Sequence, residues 1–104
     1  MKKTAMLAGA ALLSLGLVGN ASAADGAALY QAKGCAACHG ADAKTPIMPV
    51  YPKLAGQNAQ YAFNQMKDIK SGARNNGQTA VMKGIVAGIS DEDLQAIAEW
   101  LSTQ

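Results

Sequence analysis

An uncharged run from Ala5 to Val18, behind Lys2 and Lys3, divides this chain into two unequal parts. Spanning a bilayer takes roughly 20 apolar residues, so the run is too short to be a transmembrane helix. Gly19, Asn20 and the triplet Ala21-Ser22-Ala23, an A-x-A pattern, follow it. A basic start, a short apolar stretch and a small-residue cleavage motif, in that order, read as a secretory signal peptide over residues 1–23, cut after Ala23. No cysteine stands at the cleavage point, which argues against a lipoprotein.

Removal of that segment leaves 81 residues, Ala24 to Gln104, and cancels the formal charge of +2 to seven basic against seven acidic residues. The mild basicity is thus an export feature, and with no Lys/Arg cluster it gives no ground for nucleic-acid binding. The remaining chain must fold in an oxidising space. It has five aromatic residues (Tyr30, Tyr51, Tyr61, Phe63 and Trp100), and much of its apolar content is small. A domain this small is marginal on its own core and needs a disulfide, a metal or a cofactor. Its one histidine excludes any site that requires two imidazoles.

The local signals are helical. Asp25 can cap a short helix through Leu29, Tyr30 and Ala32, with Gly34 where a helix end favours glycine. Asn58 can cap a second, carrying Phe63, Met66 and Ile69 on one stripe and closing at Gly72. Ser90 opens a third, with Asp91, Glu92 and Asp93 in its first turn and Leu94, Ile97, Ala98 and Leu101 on its apolar face. No strand pattern is present, so the class is all-α. Between these helices the sequence predicts two long loops. Cys35 to Gln57 holds Pro46, Pro49 and Pro52, each of which lacks a backbone donor. The glycine-rich stretch 72–89 is only weakly patterned. So much loop in so small a domain suggests wrapping around a cofactor.

The chemistry is concentrated in Cys35-Ala36-Ala37-Cys38-His39. This C-x-x-C-H spacing is the attachment signature of c-type haem. Two thiols separated by two residues can each add to one haem vinyl group, and the histidine that follows lies under the iron. The competing readings are weaker. A redox dithiol sits in a βαβ setting, and no strand precedes Ala32. A structural zinc site takes four ligands, and this chain offers two Cys and one His. A disulfide across so small a loop stabilises little.

The sixth iron ligand decides what the haem does. A His/Met pair raises the reduction potential and leaves no open site for oxygen. Met48, Met66 and Met82 are available after the signal segment. Met66 shares a helical stripe with Phe63 and Ile69 and reads as core. Met82 lies in the second expected loop, after a helix that can carry the chain to the opposite haem face. Met82 is therefore the expected ligand, with Met48 as runner-up.

The chain resembles the small class I c-type cytochromes of the bacterial periplasm, and also one half of the related two-haem periplasmic cytochromes. The likeness runs through Cys35-Ala36-Ala37-Cys38-His39-Gly40, Pro52-Lys53-Leu54-Ala55-Gly56-Gln57, the helix with Gln65-Met66-Lys67-Asp68-Ile69-Lys70-Ser71-Gly72, Met82, and a last helix with Ile97 and Trp100. It implies a cytochrome c fold, with three main helices and long loops around one covalent haem c. The N- and C-terminal helices then cross through Gly26 and Tyr30 on the first and Ile97 and Trp100 on the last. It also implies a loop proline whose carbonyl accepts the proximal imidazole N–H. Pro49 is the candidate by position, with Pro52 as rival. Arg74 and Gln57 are candidates for the haem propionates.

The implied function is single-electron transfer in a periplasmic respiratory chain, by a monomer that is not an enzyme. Its partners are transient redox proteins, met at an exposed haem edge that Lys33, Lys44, Lys53 and Lys83 could ring. No membrane span remains after cleavage. Two other classes stand beside this one: an exported haem enzyme or sensor with a labile sixth ligand, and an exported thiol oxidoreductase.

Overall fold

The computed structural model describes residues 25–104, so the signal segment expected over residues 1–23 lies outside the described residues. Among the described residues five helices follow one another: α1 (Gly26–Ala32), α2 (Ala36–His39), α3 (Ala59–Ser71), α4 (Thr79–Val86) and α5 (Asp91–Ser102). There is no strand among the described residues.

Three of the helices start at short polar side chains that satisfy otherwise orphaned amides. Asp25 Oδ1 accepts from the Ala28 N–H at 3.1 Å, Asn58 Oδ1 from Tyr61 at 2.9 Å, and Ser90 Oγ from Asp93 at 3.2 Å. The first turn of α5 carries Asp91, Glu92 and Asp93, which suit the positive end of the helix dipole. α3 stops at Gly72, whose φ of 89° is a left-handed conformation that glycine adopts without penalty.

α5 is the central strut, packed on α1 at one side and on α3 at the other, while α4 packs on α3. The close approach of α1 to α5 depends on Gly26. A Cβ there would lie 2.2 Å from the Ala96 carbonyl oxygen and 2.6 Å from Trp100 Cβ, inside any real contact distance. One turn on, the Tyr30 and Trp100 rings meet with centroids 4.9 Å apart. Ile97, Leu94 and Leu101 complete a buried cluster with Tyr30, Ile69, Val86 and Ile89. Burying an aliphatic side chain of this size contributes roughly 1.5–3 kcal/mol.

The stretch 72–89 corrects the sequence expectation. It is not one long loop, because Thr79–Val86 is helical. Thr79 and Val86, seven residues apart, share one buried face, and Met82 between them is half-buried. Val81, Ile85, Val86 and Gly84 are all poor helix formers, so local propensity argued for a loop, and packing against α3 overrides it. The proline-bearing loop has no helix of its own after His39, but it is stitched to the body. Leu54 and Ala55 N–H both donate to the Ala43 carbonyl, at 2.9 and 3.1 Å, and Gly56 N–H donates to Leu101 at 2.9 Å.

Candidate functional site

The helices and the proline-bearing loop enclose a cavity of about 530 Å³. This lies within the roughly 300–1,000 Å³ typical of cofactor sites. Its walls are largely apolar, with Leu54, Ile69, Met82, Ile85, Val86 and Ile97 among the lining residues. Cys35, Cys38 and His39 line it together.

α2 is what presents these three. It is a single turn, with Cys35 before it and His39 as its last residue. His39 is buried, at 4 % exposure. Its Nδ1 lies 2.8 Å from the Pro52 carbonyl oxygen. A carbonyl can only accept, so Nδ1 carries the proton and donates, and the lone pair is left on Nε2. That is the tautomer of a metal-ligating histidine steadied by a second partner. The expectation that Pro49 supplies this carbonyl is corrected: the partner is Pro52. The Ala43 and Leu101 contacts fix the chain just beyond residue 52, and these long-range bonds cannot be read from spacing relative to His39. Tyr51, which the sequence did not single out, sits beside the imidazole with ring centroids 6.4 Å apart.

Burial pushes the Cys35 thiol above its ordinary pKa. A catalytic dithiol requires the reverse, a thiol depressed towards the thiolate. Cys35 and Cys38 are both half-buried and unpaired. Among the described residues, no three His, Cys, Asp or Glu side chains are grouped to hold a metal ion directly.

Of the three methionines, Met82 on α4 and Met66 on α3 both line the cavity. Met82 is therefore on a helix and not in a loop, while Met66, expected in the core, also packs against the buried cluster. Met48 stands 49 % exposed on the proline-bearing loop and is not among the lining residues. Gln57 and Arg74 line the cavity, and Arg74 Nη1 donates to Gln65 Oε1 at 3.3 Å. Of the four lysines expected around its mouth, Lys53 lines it and Lys33, Lys44 and Lys83 do not. Val50, Tyr61 and Val81 line it yet are more than half exposed. They are apolar or aromatic surfaces that an inserted planar group would cover.

The residues present fit a covalent haem. The cavity is apolar and of cofactor size, both thiols and a correctly protonated imidazole share its lining, and a thioether lines it from another helix. The sequence comparisons agree with this architecture. The family model for cytochrome c matches residues 23–104. The chain is 48% identical over 95 residues to cytochrome c4 of Pseudomonas aeruginosa, covering 89% of this chain and 45% of that protein. It is 41% identical over 85 residues to cytochrome c-553 of Nitratidesulfovibrio vulgaris, covering 82% of this chain and 81% of that one. The solved structure of reduced recombinant cytochrome c4 from Pseudomonas stutzeri superposes with a TM-score of 0.60 at 33% identity, over 65% of this chain and 36% of that chain. This all-helical, haem-binding chain belongs to the cytochrome c family. It spans about half the length of the cytochrome c4 relatives it matches. A covalent haem c is the cofactor of that family, and Cys35 and Cys38 have the spacing to attach it.

Proposed function

We propose that this chain is an exported single-electron carrier of a respiratory chain, with one haem c attached through Cys35 and Cys38 and ligated by His39 and Met82. The observation that carries the reading is the His39 imidazole. It is buried, its Nδ1 is committed to Pro52, and it lines the cavity with both thiols and the Met82 thioether.

The haem supplies a one-electron couple when bound. The chain's own residues do the rest. Cys35 and Cys38 tether the group so that it cannot dissociate. The Pro52 carbonyl holds the His39 ring in one orientation, with the Nε2 lone pair left free for the iron. Met82, which lines the cavity from α4, would give the iron a soft and polarisable ligand and deny that position to small molecules, which favours a carrier over a catalyst. The aliphatic walls exclude water, and the raised Cys35 thiol speaks against thiol–disulfide chemistry.

The carrier works outside the cytoplasm. Residues 1–23 read as a cleaved signal peptide, and among the described residues no helix is long and apolar enough to cross a membrane. It acts as a monomer that meets redox protein partners briefly, over a small interface at the mouth near Lys53, Val50 and Val81. A haem stain on a denaturing gel of the exported protein tests the attachment, since only covalent haem survives. A wild-type protein that lacks the far-red methionine–iron absorption band and binds carbon monoxide readily would overturn the carrier reading in favour of a haem enzyme or sensor.

A further inference from the structure

Tyr30 bonds to both ends of the Cys35–Gly40 turn. α1 ends in a left-handed Gly34, with φ of 82°. The Cys35 N–H then reaches back to donate to the main-chain carbonyl of Tyr30 at 3.2 Å. This is the closing bond of a glycine-terminated helix, and it fixes where the turn starts. At the other end, the Tyr30 hydroxyl donates to the Gly40 carbonyl at 2.6 Å, in a buried setting. Between these two bonds lie Cys35, both alanines, Cys38 and His39.

Gly40 cannot drift from that contact. Its φ of 89° suits glycine, and a Cβ would lie 2.3 Å from the Thr45 carbonyl oxygen. Its own N–H donates to Ala36 at 3.0 Å, inside α2, and its carbonyl also accepts from Ala43 at 3.1 Å. Tyr30 is fully buried, so no water can stand in for the hydroxyl. Burial also pushes its pKa up to about 12, so it remains a donor throughout the neutral range. Packing against Trp100 needs only the ring, which phenylalanine would supply equally well. The hydroxyl is surplus to the helix crossing.

We propose that Tyr30 is a positioning residue for the iron-ligating histidine. Its carbonyl and its hydroxyl hold the two ends of the turn and so set the seat of His39. This role rests on the reading of His39 as the haem ligand.

The test uses the haem-loaded protein and Tyr30→Phe, which keeps the ring and removes only the hydroxyl. Two readouts follow the imidazole and not the overall stability: the reduction midpoint, and the pattern of haem-methyl shifts in the ferric NMR spectrum. The reduction equilibrium is expected to move roughly threefold or more, a fraction of what one buried hydrogen bond can contribute. The methyl pattern is expected to change while the far-red methionine band persists. Trp100→Phe is the control, expected to unfold more easily with the methyl pattern unchanged. A Tyr30→Phe protein with the wild-type midpoint and methyl pattern overturns the proposal, however unstable it is. If that variant yields no haem-loaded protein, replacement of Tyr30 by 3-fluorotyrosine keeps the shape and makes a stronger donor. A midpoint shift then supports the role, and an unchanged midpoint overturns it. A wild-type chain that carries no covalent haem overturns the ligand reading itself, before any variant is compared.

Discussion

His39 Nδ1 and the Pro52 carbonyl, 13 residues apart in the chain, meet at 2.8 Å. The bond is made by a main-chain oxygen, so no side-chain replacement at residue 52 deletes it. What Pro52 adds is a fixed φ, which lowers the freedom of the unfolded loop. Pro52→Ala is expected to lower the stability of the haem-loaded protein by roughly 0.4–1 kcal/mol. It should also broaden the haem-methyl resonances as the carbonyl gains room. Pro49→Ala should leave those resonances unchanged. Chemical denaturation followed at the haem band, with ferric NMR on both variants, checks the pair. Equal spectral effects from the two prolines would contradict the assignment.

Gly26 makes a sharper demand, because its neighbours include main-chain atoms of another helix. The Ala96 carbonyl oxygen would be 2.2 Å from a new Cβ. Gly26→Ala must push α1 away from α5 and loosen the Tyr30–Trp100 contact. Overpacking of this kind costs roughly 1–3 kcal/mol. Gly88 is the internal control, since a Cβ there meets nothing within 4 Å and its φ is not positive. Gly88→Ala should be neutral or slightly stabilising. Urea denaturation of the two variants should therefore differ clearly, and equal midpoints would rule out the close crossing.

These contrasts bear on what the sequence could disclose. The caps at Asp25, Asn58 and Ser90 were legible because capping is local: a short polar side chain reaches an amide three residues on. The C-x-x-C-H motif was legible for the same reason, as its chemistry depends on adjacent residues. α4 was not, because Val81, Gly84, Ile85 and Val86 have low helix propensity and only burial of Thr79 and Val86 against the body makes the helix worthwhile. The choice between Pro49 and Pro52 depended on bonds from the loop to Ala43 and Leu101, which no local spacing encodes. Met66 reads as core from its stripe, and it lines the cavity together with Ile69 of that stripe. Periodicity reports a buried face without saying whether protein or cofactor covers it.

Lys67 and Asp91 predict an acid-sensitive link between α3 and α5. Lys67 Nζ lies 2.9 Å from Asp91 Oδ2, and Lys70 Nζ lies 3.6 Å from Oδ1. The hydrogen bond from Lys67 holds the Asp91 carboxyl below its ordinary value of 3.8. A folded-state pKa below the unfolded one means that the link stabilises fully above the unfolded value. That contribution fades as pH falls through the folded value. Asp91→Asn should thus be less stable than wild type at neutral pH, and the gap should begin to shrink below about pH 4 and go on closing as pH falls further. The pair is exposed, so the gap should also shrink in high salt. Denaturation midpoints across pH and salt check this, and a gap that stands undiminished at pH 2 would contradict it.

Met82 and Met66 line the same cavity from α4 and α3, and they are expected to behave differently. Met82→Ala should abolish the far-red methionine–iron band and open the protein to carbon monoxide. Met66→Ala should keep the band and instead lower stability by roughly 2 kcal/mol, the low end for truncation of a core methionine, because Met66 is only half-buried. Absorption spectra of the two ferric variants and carbon monoxide titration of the reduced forms separate the cases. Survival of the band in Met82→Ala would move the ligand assignment to another residue.

Haem attachment is expected to decide whether this chain folds. Emptying a cavity of about 530 Å³ removes contacts from most of the core residues that line it. At about 24 cal/mol per Å³ of void, the cost would be on the order of 10 kcal/mol, an upper figure for a cavity open to solvent. That is comparable to the roughly 5–15 kcal/mol that holds a whole domain folded. Ile69, Val86, Ile89 and Ile97 both line the cavity and belong to the buried core, so they would lose packing together. The Cys35→Ala/Cys38→Ala double variant, which cannot hold haem covalently, is therefore expected to be largely unfolded. Far-UV circular dichroism should show helix content well below that of the haem-loaded protein, with no cooperative thermal transition. Native helix content in that variant would mean that the apolar walls collapse onto one another without the cofactor.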